Sequence, residues 1–284
     1  MKKSKLSLMA KWWLLFLIIE VIGGIILCKF FNFSKWIFII LALTYIVGSC
    51  IVFKGRILGF IGYMIHGRTG DEYKAEKFYK LALKEKETIA YVPLSYGLIL
   101  LRRGETQEAL KLFEQVLERK GENLYIYRTA LTNKALAYWQ KGEIDKAIEI
   151  LEECISKYDY INHNTYSSLG YLYIIKENYE KALEYTNKAL EKEPKHAGSW
   201  DNLGQISYRK NDIKEAKNYF KKALSFKPDL VDSLYYLGII AEDEENFEEA
   251  KEYFSSAMKC NITAFNTVTR EQVEEKCKKY TPNL

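Results

Sequence analysis

The chain has 284 residues, 48% of them apolar and 28% charged, with 42 basic and 37 acidic side chains and a formal net charge of +5. That apolar content suffices to bury a core and excludes a disordered, self-repelling polymer. The charge is placed unevenly: Lys2, Lys3, Lys5, Lys11, Lys29, Lys35, Lys54 and Arg56 against Glu20 give residues 1–56 a balance of +7, which leaves −2 on residues 57–284 and excludes the clustered excess of Lys and Arg that a nucleic-acid surface needs.

In chain order, the first elements are two apolar runs, Trp12 to Cys28 and Trp36 to Phe53, of 17 and 18 residues with one charge, Glu20, between them. At 1.5 Å per residue each reaches about 26 Å, close to a bilayer core, so both are expected to span as a helical hairpin forming a membrane anchor over residues 1–55. The first run lacks the small-x-small site of a cleaved signal peptide. Lysines before the first run, with Lys54, Arg56 and Arg68 after the second, place both ends in the cytoplasm under the positive-inside rule. Antiparallel pairing puts Glu20 level with Thr44. A neutral Glu20 bonded to Thr44 or Tyr45 is expected there, since an unpaired acid at mid-bilayer is costly.

Beyond the runs, Ala75, Ala109, Ala147, Ala182, Ala216 and Ala250 recur at steps of 34, 38, 35, 34 and 34 residues. Around Ala216, Trp200, Leu203, Gly204 and Ser207 share one face of a first helix, while Ala216, Phe220 and Ala223 share one face of a second. Small residues at Gly204 and Ala216 allow close approach of the two. The turns between such helices read Lys210-Asn211-Asp212, Lys176-Glu177-Asn178, Lys141-Gly142-Glu143 and Arg103-Gly104-Glu105, and Pro194 and Pro228 break the chain between pairs. Units fall at about 56–89, 90–123, 128–161, 163–196, 197–230 and 231–264, the first degenerate. Residues 265–284 form a capping helix and tail, with Thr269 and Gln272 at capping-box spacing.

Trp200, Leu203, Gly204, Ala216, Phe220, Ala223 and Pro228, with Leu169, Gly170, Tyr173, Ala182, Ala189 and Pro194 one unit earlier, resemble the tetratricopeptide repeat signature. The resemblance implies an all-α fold, a right-handed solenoid of about five to six helix pairs whose first helices line a concave, partner-binding groove. In register, the groove side chains are Asn133, Trp139, Asn164, Tyr171, Asp201, Asn202, Gln205, Tyr208 and Tyr235, with Ser167 and Asp232 among the neighbouring positions. They are expected to carry binding; the alternative, since the chain is rich in Tyr, is that individual members pack between repeats. Family members that clamp a terminal carboxylate use Lys and Asn in the groove; Leu94, Thr132, Ser167, Asp201 and Tyr235 stand in the key Lys slots here, so the expected partner is instead a protein segment with apolar anchors and positive charge.

Catalytic chemistry is not expected, nor a metal or cofactor. Gly62 to Thr69 approaches a phosphate-loop pattern, but Arg68 replaces its Lys and no strand precedes it. His66, His163 and His196 form no ligand motif, although the last two occupy successive repeat junctions. The expected protein is a membrane-anchored scaffold with a cytoplasmic repeat domain. Outward-facing repeats would make it an envelope or secretion assembly factor, and an oligomer using Glu20 would make it a transport component.

Overall fold

The computed structural model describes residues 36–85, 88–119, 123–159 and 162–280, with seven further positions between residues 15 and 26. Among the described residues all regular structure is helical. The helices are α1 Trp36–Val52, α2 Lys54–Thr69, α3 Glu72–Leu83, α4 Tyr91–Arg102, α5 Thr106–Glu118, α6 Leu124–Gln140, α7 Ile144–Ser156, α8 His163–Ile175, α9 Tyr179–Lys192, α10 Ala197–Arg209, α11 Ile213–Phe226, α12 Val231–Asp243, α13 Phe247–Lys259 and α14 Arg270–Tyr280. They fall into two compact units, one running to Ile99 and adding Lys111–Ala130, the other made of Leu100–Leu110 with the chain from Leu131 onward.

In the first unit α1 occupies the second expected span, and its Ile39, Ile40, Leu43, Ile46 and Val47 are exposed. Among the described residues no single helix is long and apolar enough to cross a membrane; Ile39–Val52 and Lys54–Thr69 meet that test only together, and a bend of 73° separates them. The described residues do not support the expected two-span hairpin: the second apolar run continues past Val52 into a turned helix that packs on α3. The first expected span lies largely outside the described residues, as does Glu20. Thr44 donates its hydroxyl to Ile40 O at 3.1 Å and Leu41 O at 2.9 Å within its own helix, a bond that needs no partner on another helix.

The Gly62 to Thr69 stretch is the end of α2, so no phosphate-binding loop forms there. Gly62 lets Tyr79 of α3 lie against it: a Cβ at Gly62 would stand 2.8 Å from the ring. Gly97 of α4 receives Phe113 of α5 in the same way, at 2.6 Å.

The second unit repeats this device. A Cβ at Gly204 of α10 would lie 2.6 Å from Phe220 of α11, and one at Gly238 of α12 would lie 2.6 Å from Phe254 of α13. Phe220 and Phe254 are fully buried, each contributing about 1.5–3 kcal/mol of apolar burial. In the pair α8 and α9 Thr186 takes the place of the aromatic ring, 2.4 Å from a Cβ on Gly170. Ala182, Ala216, Ala223, Ala250 and Ala257, on the second helices of these pairs, are fully buried, which is why small residues recur there.

The links inside each pair have one geometry. Gly104, Gly142, Glu177, Asn211 and Glu245 all take positive φ, between 57° and 78°. At Glu177 the N–H donates to Ile174 O at 3.0 Å and the following Asn178 N–H to Tyr173 O at 3.0 Å, satisfying the orphan carbonyls at the end of α8 in a Schellman motif. Asn178 Oδ1 then accepts the Lys181 N–H at 3.1 Å and starts α9. One residue thus closes a helix and opens the next, and Asp212 and Asn246 do likewise. After α13, residues Asn261 to Val268 run without helix to α14, where Thr269 and Gln272 exchange the two hydrogen bonds of a capping box at 2.7 and 3.2 Å.

Candidate functional site

In the second unit the first helices of successive pairs, α8, α10 and α12, stack beside the C-terminal half of α6. Because equivalent positions recur about every 34 residues, Leu136, Tyr171 and Gln205 arrive on one face, with Trp139 one turn farther along α6. They border a pocket of about 230 Å³ together with Asp201, Asn202 and Asp232, and with Phe265 and Thr267 from the segment after α13. Trp139 and Tyr171 are half-buried and meet edge to face, their centroids 5.6 Å apart.

The polar groups beneath tie one repeat to the next. Asn202 donates its Nδ2 to Ser167 O of α8 at 2.9 Å. Asp201 accepts from Ser233 Oγ of α12 at 2.5 Å and from Gln205 Nε2 at 2.7 Å. Asp201 is 5% exposed and Gln205 1%. Burial, then the neighbouring Asp232 charge, pushes the Asp201 carboxyl up to about 7, against the lowering effect of its two hydrogen bonds. Gln205 Oε1 is buried and has no hydrogen-bond partner, a state that costs about 1–3 kcal/mol.

Asp232 is held differently. Its Oδ1 accepts the N–H groups of Thr267 and Val268 at 2.6 and 3.1 Å and the Thr267 hydroxyl at 2.5 Å, and its Oδ2 accepts from Asn266 Nδ2 at 3.0 Å. Farther along the same segment, Ala264 N donates to Arg102 O at 3.0 Å, and Gln140 Nε2 donates both to Ala264 O at 2.9 Å and to Leu101 O at 3.0 Å. The chain's own Thr263 to Val268 therefore straps across the face that the first helices line. That face was expected to form a partner-binding groove.

Of the nine expected groove residues, Trp139, Tyr171, Asp201, Asn202 and Gln205 come together at the pocket. Asn133 is buried away from it, and Asn164 is exposed beyond it. Tyr208 lies against Tyr236 at 5.3 Å. Tyr235 meets Phe254 edge on at 5.7 Å within the apolar cluster under α14, so it packs the core there. Asp201, Asn202 and Gln205 are likewise too buried to be pure binding groups. Phe265 and Thr267 were missed, because their segment has neither helical period nor repeat register.

At the repeat junctions His163 and His196 lie 4.9 Å apart. His196 caps α10, its Nδ1 accepting from the Ser199 N–H at 3.2 Å and lying 2.8 Å from Ser199 Oγ. Burial, reinforced by His163, lowers its pKa to about 4, so the ring is a neutral cap. Among the described residues no group of three His, Cys, Asp or Glu could hold a metal ion.

Residues 88–159 match the profile of the tetratricopeptide repeat, and residues 163–275 match the profile of the cilia and flagella-associated protein 70 middle TPR-like domain. A tetratricopeptide repeat protein from Parabacteroides merdae is similar in structure with a TM-score of 0.52 at 20% identity, covering 81% of this chain and 99% of that one. TTC0263, a thermophilic TPR protein of Thermus thermophilus, superposes with a TM-score of 0.56 at 18% identity, covering 68% of this chain and 100% of that one. At these identities the likeness is one of fold.

Proposed function

Because this chain is a tetratricopeptide repeat protein, we propose that it is a protein-interaction scaffold that recruits a partner segment to the face lined by α6, α8, α10 and α12. The single observation that carries this reading is the pocket, where Trp139, Tyr171, Asp201 and Gln205 from three successive first helices converge. Half-buried aromatics beside buried polar groups are the composition of interface centres. The partner is a peptide or helix with apolar anchors and positive charge. The repeats lie on the cytoplasmic side of a membrane to which the N-terminal apolar runs anchor them, a placement supported by Lys2, Lys3, Lys5 and Lys11 before the first run and Lys54, Arg56 and Arg68 after the second, against only Lys29 and Lys35 between them.

The test is affinity capture with the full chain solubilised in detergent, followed by mass-spectrometric identification. A recurrent partner is expected with wild type and not with Tyr171→Ala. Enrichment no greater than that of a tag control, or indifferent to Tyr171, refutes the reading. Protease added to spheroplasts should leave residues 57–284 whole; digestion from outside would place the repeats in the envelope.

A further inference from the structure

Resting on that reading, we infer that the pocket takes a cationic side chain of the partner, a lysine ammonium or an arginine guanidinium, seated against Trp139 and Tyr171 with Asp201 as counter-ion and Gln205 Oε1 as acceptor.

Three independent features of the pocket converge on a cation. Two carboxylates, Asp201 and Asp232, line it and are each 5% exposed, yet no Lys, Arg or His stands among the lining residues. Asp232 is satisfied by the strap, whereas Asp201 meets only the neutral donors Ser233 and Gln205. A buried carboxylate next to another carboxylate is short of positive charge. Arg209, whose field reaches Tyr171 and Tyr236, is exposed at the end of α10 and is not part of the lining.

Gln205 supplies the second feature. Asp201 fixes the orientation of its amide, because only Nε2 can donate to the carboxylate; Oε1 must then be the other end, and it is buried without a partner. Only a donor completes it, and ammonium and guanidinium groups carry donors alone. The third feature is the pair of aromatic rings, whose faces attract cations within about 6 Å. The volume, about 230 Å³, lies below the ~300–1,000 Å³ of pockets that hold whole small-molecule ligands and matches one long side chain. An anionic group would face both carboxylates.

The experiment uses the detergent-solubilised full chain labelled with 5-fluorotryptophan, with the Trp139 resonance assigned through Trp139→Phe. Nα-acetyl-arginine amide and Nα-acetyl-lysine amide are titrated against Nα-acetyl-citrulline amide, the neutral isostere of the arginine probe. The cationic amides should shift the Trp139 resonance saturably, with citrulline at least tenfold weaker. Asp201→Asn should weaken the cationic probes at least tenfold without lowering the melting temperature, since Asn Oδ1 still accepts from Ser233 and a flipped Gln205 amide accepts from Asn Nδ2, which also turns the free acceptor away. Glu180→Gln removes the same charge from an exposed site and should change nothing. Equal binding of arginine and citrulline, equal weakening by Glu180→Gln, or an Asp201→Asn variant that melts early yet binds the cations normally would each overturn the inference. Partner capture repeated with Asp201→Asn separates the two readings. Capture that persists while the cationic probes fail to bind removes the cation site and leaves the scaffold; probe binding without any captured partner does the reverse.

Discussion

Gly204→Ala adds one carbon where the structure has no room for it. The new Cβ would lie 2.6 Å from Cδ1 and Cε1 of Phe220 and 3.0 Å from its Cγ. The ring cannot retreat: Phe220 is fully buried and stacks on Tyr236 with centroids 5.3 Å apart and planes 1° from parallel. Overpacking of this kind costs about 1–3 kcal/mol. Replacing a mid-helix glycine by alanine returns up to about 1 kcal/mol of helix propensity. With three ring carbons within 3.0 Å the overpacking falls in the upper part of that range, about 2–3 kcal/mol, so the net loss is about 1–2 kcal/mol, read in a circular dichroism melt as a fall of roughly 2–8 °C for a repeat region of this size. Gly67→Ala is the control, because nothing lies within 4 Å of a Cβ there; it should raise the melting temperature slightly. In a Phe220→Leu background the Gly204→Ala penalty should vanish, since the obstructing ring carbons are gone. A Gly204→Ala protein that melts at or above wild type, or a penalty that persists unchanged in the Phe220→Leu background, refutes the close-packing account.

Protonating His196 would destroy the α10 cap. Its folded pKa of about 4 lies below its ordinary value, so stability present above about pH 6.5 should be lost as pH falls toward 4, by about 2–3 kcal/mol in all, and His196→Asn should lack this loss in chemical denaturation at stepped pH. Asp201 acts with the opposite sign: its raised pKa means wild type loses stability relative to Asp201→Asn as pH rises from about 4 to 7, measurable in the same titration. Glu177→Gly and Glu245→Gly relieve non-glycine residues at φ of 57° and 62°, and each should raise the melting point by the equivalent of up to about 1 kcal/mol. Tyr235→Ala should cost about 1–3 kcal/mol because the ring packs on Phe254, a loss that a purely groove-facing residue would not show in the melt.

The repeat was legible because its determinants are close in sequence. Gly204, Ala216 and Phe220 meet within one helix pair, and the turn at Asn211 advertises itself through Asp212, which serves two helices. Register also identified which face Trp139, Tyr171, Asp201, Asn202 and Gln205 would share. It could not give depth: Tyr235 has the same register as Asp201 one unit earlier, but Phe254 and the helix α14 behind it draw the ring into the core. Nor could register announce the strap, whose Ala264 is bonded to Gln140 across 124 positions of chain. The expected spanning hairpin came from length and hydropathy alone, and neither property contains the turn after Val52.

The strap also sets the terms on which any visitor competes. Thr263 to Val268 is tethered at both ends, by α13 and α14, so it faces Asp232 at a local concentration fixed by loop length and untouched by dilution. A partner that needs the Asp232 acceptors meets this rival on every molecule, and its apparent affinity is its intrinsic affinity multiplied by the fraction of time the strap is away. A partner anchored at Asp201 instead, with Phe265 left in place as part of the wall, escapes that competition. The two carboxylates stand on successive first helices, and the strap's own hydrogen bonds occupy only one of them.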